Sequence, residues 1–221
     1  MLKSTSEHEA CKQLLENGVA ALQLHLDSSQ LNKLMAYLEM LIKWNAVYNL
    51  TSVRNPQEMV RQHLLDSLTA TFAFNPAENI LDVGSGGGLP GIVLAIVYPD
   101  KKVALIDTVN KKTAFLKQVK AELGLKNVTV YTGRVEQLEV DELLDVITSR
   151  AFSELSNFVN WAGHLLTPEG SMIALKGQLP ESEMEQLPSG WKIKKIQEVN
   201  VPGLDAQRHL LWLVRDPVIN K

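Results

Sequence analysis

Ile80-Leu81-Asp82-Val83-Gly84-Ser85-Gly86-Gly87-Gly88-Leu89-Pro90-Gly91 is the stretch whose reading decides the fold. The apolar run Ile80–Val83 reads as a buried strand. It breaks into four glycines within residues 84–88. Glycine takes positive φ without a Cβ penalty and lets a ligand approach the backbone closely. Pro90 suits the first turn of a helix, and the apolar residues that follow continue one. In an open α/β sheet such a strand–loop–helix unit puts the loop at the carboxyl end of the strands, where ligands bind. A tight turn with no ligand is the other way to read four glycines, and the strand and helix on either side speak against it.

Working outward, the same grammar continues downstream. Val103–Ile106, Val128–Tyr131, Val146–Thr148 and Met172–Leu175 are short apolar runs that read as buried strands, and residues 90–97, 111–123 and 153–165 read as the helices between them. This alternation predicts a parallel sheet with helices on both faces. Trp191–Val199 and His209–Val214 are two strand-like runs with no helix between them, which predicts an antiparallel pair on one edge and seven strands in all. Upstream the pattern is helical. Leu14, Leu15, Gly18, Leu22 and Leu26 keep helical spacing. Asp27 or Ser28 is the expected N-cap of a second helix carrying Leu31, Leu34, Met35, Leu38, Leu41 and Ile42. After a turn near Asn55-Pro56, Met59, His63, Leu64 and Leu68 mark a third. The expected organisation is a helical cap over residues 1–70 and an α/β domain over residues 71–221.

Composition narrows the classes. The chain has 221 residues, 45% hydrophobic and 21% charged, as in ordinary globular proteins. Its longest strongly apolar stretch, Gly91–Tyr98, is too short to span a bilayer, and Met1–Ala10 lacks the apolar core of a secretory signal. A cytoplasmic location is the expectation. Cys11 is the single cysteine, which excludes an intrachain disulfide and a cysteine-built zinc site; no metal is expected. The net charge of −3 means that a nucleic-acid partner would need a local basic surface.

Which ligand the loop holds is a harder question. Gly86-x-Gly88-x-x-Gly91 matches the dinucleotide pattern, but that match is weak alone, and Gly84-x-Gly86 already starts the glycine spacing with the wrong continuation. Asp107 ends the next strand, where a carboxylate could accept hydrogen bonds from ribose hydroxyls of either kind of ligand. Asp82 could face a ligand ammonium or order the loop. Tyr98 and Lys102 have the spacing of a reductase pair, but Pro99 and the following strand deny them one helical face. At this level an oxidoreductase, a methyltransferase acting on a small molecule or protein, and a noncatalytic RNA-binding relative all stay open.

Further motifs narrow the field. The loop resembles the first motif of class I methyltransferases. Together with Lys43-Trp44-Asn45-Ala46-Val47-Tyr48-Asn49-Leu50-Thr51-Ser52-Val53-Arg54, Arg61-Gln62-His63-Leu64-Leu65-Asp66-Ser67, Gly133-Arg134-Val135-Glu136, Ser149-Arg150-Ala151-Phe152, Leu175-Lys176-Gly177 and Arg208-His209-Leu210, it makes nearly the whole chain similar to the bacterial 16S ribosomal RNA guanine-N7 methyltransferase family, also called glucose-inhibited division protein B. Thr108-Val109-Asn110 departs from the family's usual continuation after Asp107. The resemblance implies a Rossmann-like class I methyltransferase fold with an N-terminal helical extension. It also implies S-adenosyl-L-methionine as methyl donor and 16S ribosomal RNA, in a small ribosomal subunit or its precursor, as substrate. It maps donor binding to Gly84, Leu89, Val135, Glu136 and Arg150, which Asp82, Gly86 and Asp107 join from the reading of the loop.

N7 of guanine carries a lone pair and no proton, so its methylation needs alignment more than a general base. The chain has no Asn-Pro-Pro-Tyr-type motif after the fourth strand and no cysteine in the expected loops. Arg150 is the expected catalytic residue, and Phe152 could stack on the base or pack in the core. Lys43, Trp44, Arg54, Arg61, His63, Arg150, Lys176 and Arg208 are the RNA candidates around the donor site, although packing fits Trp44 and Tyr48 better. The lysines between Lys101 and Lys126 read as a solvated face.

Overall fold

The computed structural model describes residues 4–150 and 154–216. Seven strands make one sheet: β1 (Asn79–Val83), β2 (Lys102–Asp107), β3 (Val128–Thr132), β4 (Leu144–Arg150), β5 (Leu166–Lys176), β6 (Trp191–Glu198) and β7 (His209–Arg215), in the spatial order β3-β2-β1-β4-β5-β7-β6. The first five are parallel, and β7 runs antiparallel to both β5 and β6. The antiparallel pair stands on one edge, as the sequence predicts.

Strand alternation supplies both faces of the sheet. Ile80, Leu105, Val146, Ile173 and Leu210 point into one apolar cluster, while Leu81, Ile106, Ile147, Met172 and Leu211 point into the other. The second cluster is closed by α7 (Leu155–Ala162), through Leu155, Phe158 and Val159. The first is closed by α5 (Gly91–Val97) and α6 (Asn110–Glu122). Cys11, Leu15, Leu34, Leu38 and Leu41 of the N-terminal helices α1 (Thr5–Ala21) and α2 (Ser28–Tyr48) belong to that same cluster. Leu64 and Leu68 join it from a composite helix made of α3 (Pro56–Met59), a π-helical turn (Val60–Leu65) and α4 (Asp66–Thr69).

Local chemistry sets the boundaries. Asp27 caps α2 in a reciprocal capping box with Gln30. The helical spacing through Leu26 predicts a longer α1 than the structure has. The helix stops at Ala21, and Gln23 turns the chain at φ 55°. Leu22 and Leu26 still reach the core from the connecting turn. Asn55-Pro56 is the start of a helix, with the Asn55 side chain accepting from the Glu58 N–H and Pro56 in the first turn. No described helix is long and apolar enough to cross a membrane.

β1 leads to β2 and β3 on one side, and the chain then returns to β4 on the other. The carboxyl ends of β1 and β4 therefore flank a topological switch point, the place where an open α/β sheet leaves a crevice. The Ser149 hydroxyl ties the two strands there by donating to the Val83 carbonyl at 2.8 Å.

Candidate functional site

Gly84, Gly86 and Gly88 have φ of 69°, 57° and 94°, so the loop needs glycine at these positions. Two carboxylates fasten it. Asp82 is fully buried, and its Oδ2 accepts from the Gly91 N–H at 3.0 Å, joining β1 to the start of α5. Burial pushes its carboxyl up to about 7, against the pull of that N–H, and Oδ1 has no partner among the described residues. Asp107 accepts from the Gly86 N–H at 3.0 Å and from the Val109 N–H at 2.9 Å, with the Lys112 ammonium 3.5 Å away. Both aspartates therefore order the loop.

A cavity of about 420 Å³ opens beside this loop. Gly84, Asp107, Val135, Glu136 and Arg150 all line it, five of the residues expected to touch a donor, together with Lys112 and Trp161. Asp82, Gly86 and Leu89 do not. Leu89 is 5% exposed, and its side chain joins the apolar cluster beneath the loop. Gly86 leaves open space beside the loop: a Cβ there would approach nothing closer than Gly84 O at 3.8 Å.

A second cavity, of about 520 Å³, lies on the β5–β7 side. His63, Lys176 and Arg208 line it, with Thr51, Gln62 and Asp66. Arg150, the last residue of β4, lines both cavities. Its Nη1 donates to the Gln62 carbonyl at 3.0 Å and to Asp66 Oδ2 at 3.1 Å, and Arg208 Nε donates to Asp66 Oδ1 at 2.6 Å. Lys176 pairs with Glu183 at 2.8 Å. His63 Nε2 lies 2.8 Å from the Thr51 hydroxyl, while its Nδ1 is buried without a partner among the described residues. Burial, helped by the positive charge of Arg150, lowers the His63 pKa to about 4 and keeps the ring neutral. His209 Nδ1 donates to the Gly177 carbonyl at 2.7 Å.

The other RNA candidates stay outside both cavities. Lys43 is exposed on α2. Arg54 closes the end of α2 by donating to Asn45 O and Asn49 Oδ1, and Arg61 pairs with Glu58. Trp44 packs between Phe115 and Tyr48, at centroid distances of 5.4 and 5.0 Å. Phe152 lies outside the described residues. The reductase-like pair is apart: Tyr98 bonds Thr71 O and Asn75, while Lys102 pairs with Glu142. Among the described residues no group of three or more His, Cys, Asp or Glu could hold a metal ion.

The sequence motifs include Gln62 and Asp66 but do not single out either of them, or Trp161, as a site residue. Asp66 carries a readable signal, a carboxylate between the apolar positions Leu64 and Leu68 of one helix. The contribution of Gln62 comes through its backbone and leaves no trace in residue type. Trp161 sits where the helical pattern offers no distinction between packing and cavity lining.

The family model described as rRNA small subunit methyltransferase G matches residues 30–211. A ribosomal RNA small subunit methyltransferase G from Herminiimonas arsenicoxydans is 56% identical over 213 residues, covering 95% of this chain and 98% of the relative. One from Janthinobacterium sp. (strain Marseille) is 56% identical over 206 residues, covering 91% and 94%. An O-methyltransferase from Bacillus cereus, solved with S-adenosylhomocysteine, superposes with a TM-score of 0.58 at 18% identity over 95% of this chain and 100% of that one. A SAM-dependent methyltransferase from Aquifex aeolicus gives 0.55 at 22% identity over 70% and 93%. These two structures share the Rossmann-like fold of class I methyltransferases. By family model and by relatives along nearly its whole length, the chain belongs to the rRNA small subunit methyltransferase G family.

Proposed function

We propose that the protein transfers the methyl group of S-adenosyl-L-methionine to N7 of a guanine in 16S ribosomal RNA, acting in the cytoplasm on the small ribosomal subunit or its precursor. The observation that carries the reading is the place of Arg150, at the switch point and in the wall of both cavities. One cavity suits the donor and the other the acceptor, and Arg150 stands where the two must meet. In this reading residues 1–70 are a cap over the acceptor side, and residues 71–221 form the donor-binding domain.

The first cavity fits the donor chemically. Asp107 and Glu136 are carboxylates that can accept hydrogen bonds from hydroxyl and amino groups, and Ile106, Val109, Val135 and Trp161 supply the apolar lining an aromatic ring needs. A volume of about 420 Å³ is within the usual range for small-molecule sites. The open space at Gly86 lets a ligand approach the loop. S-adenosylmethionine supplies an electrophilic methyl on a sulfonium, and the acceptor nitrogen has no proton to lose, so alignment is the main demand on the protein. The chain's residues orient the two reactants: the glycine loop and Glu136 hold the donor, Arg150 fixes the boundary, and His63, Lys176 and Arg208 line the acceptor side.

The test is methyl incorporation from labelled S-adenosylmethionine into small subunits from a strain lacking this gene, with the product located by RNA mass spectrometry. The expected result is one 7-methylguanine in 16S RNA, and a strong loss with Arg150→Ala at little change in melting temperature. Absence of label from the RNA, or transfer by Arg150→Ala within about twofold of wild type, a barrier change under roughly 0.5 kcal/mol, would overturn the reading.

A further inference from the structure

We infer that Asp66 is a positioning residue that holds Arg150 and Arg208 together where the two cavities meet. The inference rests on the methyl-transfer reading, because it concerns how Arg150 is held in place for that reaction. It starts from a flaw in a helix. In an α-helix the N–H of residue i bonds to the carbonyl of residue i−4, which would spend the Gln62 carbonyl on the Asp66 N–H. Here the turn over Val60–Leu65 is π-helical, and the Asp66 N–H goes to the carbonyls of Arg61 and His63. The Gln62 carbonyl instead accepts from Arg150 Nη1 at 3.0 Å. Insertions of this kind recur at functional sites.

The same turn aims the Asp66 carboxylate at two guanidiniums from different parts of the chain. Oδ2 receives Arg150 at the end of β4, and Oδ1 receives Arg208 just before β7. Asp66 is 7% exposed, so water competes little for it. It is the one carboxylate lining the second cavity among the described residues, against three cations, Arg150, Lys176 and Arg208. Two guanidiniums this close repel one another unless an anion lies between them, and removing one partner from a partly buried charge network leaves the rest uncompensated. The cavity keeps excess positive charge for an RNA phosphate, while Arg150 is fixed from two directions, by the Gln62 carbonyl and the Asp66 carboxylate. Buried Leu64, Leu65 and Leu68 anchor the helix that carries the carboxylate.

The test uses the full-length protein, small subunits lacking the modification, and labelled S-adenosylmethionine. Asp66→Asn keeps the shape and one acceptor oxygen but loses the charge and presents an N–H₂ to one of the arginines. The expected result is a fall in kcat of at least tenfold, with S-adenosylhomocysteine affinity within about threefold of wild type. Asp66→Glu should recover part of kcat, which a purely structural role would not predict. On an Arg150→Ala background, Asp66→Asn should cost clearly less than it does in the wild type. If Asp66→Asn does not fold, Arg208→Lys takes its place: it cannot repeat the Nε contact and should lower kcat at least fivefold. The proposal is overturned if the folded variant used stays within twofold of wild type, or if the losses at Asp66 and Arg150 multiply independently. Should Arg150→Ala itself keep full activity, the methyl-transfer reading of Arg150 falls as well; loss with Arg150→Ala but not with Asp66→Asn defeats this inference alone.

Discussion

The hydroxyl of Tyr37, in the middle of α2, donates a 2.5 Å hydrogen bond to the carbonyl of Gly87 in the glycine loop. Tyr37 is fully buried, and burial raises its phenol above the ordinary tyrosine range, so it stays a donor at any working pH. Leu41, one helical turn on, closes the same contact: a Cβ added at Gly87 would lie 3.2 Å from its Cδ1. The N-terminal helices therefore support the glycine loop, beside the proposed donor cavity, as well as covering the sheet.

That bond gives the first prediction. Tyr37→Phe keeps the ring but leaves the Gly87 carbonyl without its donor, at a cost of about 1–3 kcal/mol when the group stays dry. Thermal unfolding should show this loss. Calorimetric titration should show S-adenosylhomocysteine binding at least threefold more weakly, because the loop loses its prop. Unchanged affinity would mean that the cap does not support the donor site.

Gly86 and Gly88 should respond differently to the same change. A Cβ at Gly88 would sit 2.6 Å from Ile92 Cγ1 and 2.8 Å from Leu116 Cδ2, at φ 94°. Gly88→Ala should therefore destabilise the fold by about 2–4 kcal/mol through strain and overpacking. At Gly86 nothing lies within 3.8 Å, so Gly86→Ala should lose only about 1 kcal/mol to its positive φ. It should lose donor affinity out of proportion to that. Melting curves and binding isotherms of the two variants check the contrast, and equal effects on both measures would refute it.

The readable and unreadable parts of this protein differ in physical kind. The strands of the sheet are legible because Ile80–Val83, Val103–Ile106 and the later runs are buried on both faces and read as continuous apolar segments; their spatial order is not, because apolar runs do not say which strands are neighbours. Asp107 and Arg150 are legible as polar residues at strand ends, where burial alone gives no reason for them; Glu136 is legible only through the family resemblance. The support of the loop by α2 is not, because Tyr37 on an apolar helix face reads as core. The clamp at Asp66 is not, because it depends on a π-helical turn that leaves no periodicity to detect. Lys43, Arg54 and Arg61 are RNA candidates that lie outside the walls of both cavities, where Arg54 bonds to the Asn45 carbonyl and Arg61 pairs with Glu58.

His63 makes stability depend on pH. Its pKa is about 4 in the folded protein against 6.5 for the free side chain. Below 6.5 the unfolded chain binds a proton that the folded chain refuses until about pH 4. The stabilising contribution is thus complete above pH 6.5 and is lost as the pH falls to 4, to a limit of roughly 3 kcal/mol. His63→Gln, which can still bond the Thr51 hydroxyl, removes the titration. Denaturant midpoints across this range should fall more steeply for wild type than for the variant. Parallel curves would show that the ring is charged or solvated in the fold.

Salt dependence tests how the RNA is held. The whole chain carries −3, so no broad cationic field attracts RNA. In the proposed acceptor cavity the cations are Arg150, Lys176 and Arg208, and each already has a carboxylate partner in Asp66 or Glu183. A phosphate entering there must share or displace these partners, which weakens its binding relative to contact with free cations. With three such side chains and about 0.7 counterions released per contact on single strands, the slope of log K against log salt should be near −2. Generic RNA should therefore bind weakly, and recognition should rest on the shape of a folded particle presenting an unstacked guanine. Transfer rates measured across a salt series, with short naked RNA and the small subunit as alternative substrates, provide the check. The expected outcome is a shallow slope with strong preference for the subunit. Efficient transfer to any guanine-containing oligonucleotide, with a slope indicating many released ions, would mean that the exposed lysines and arginines outside the cavity hold the RNA instead.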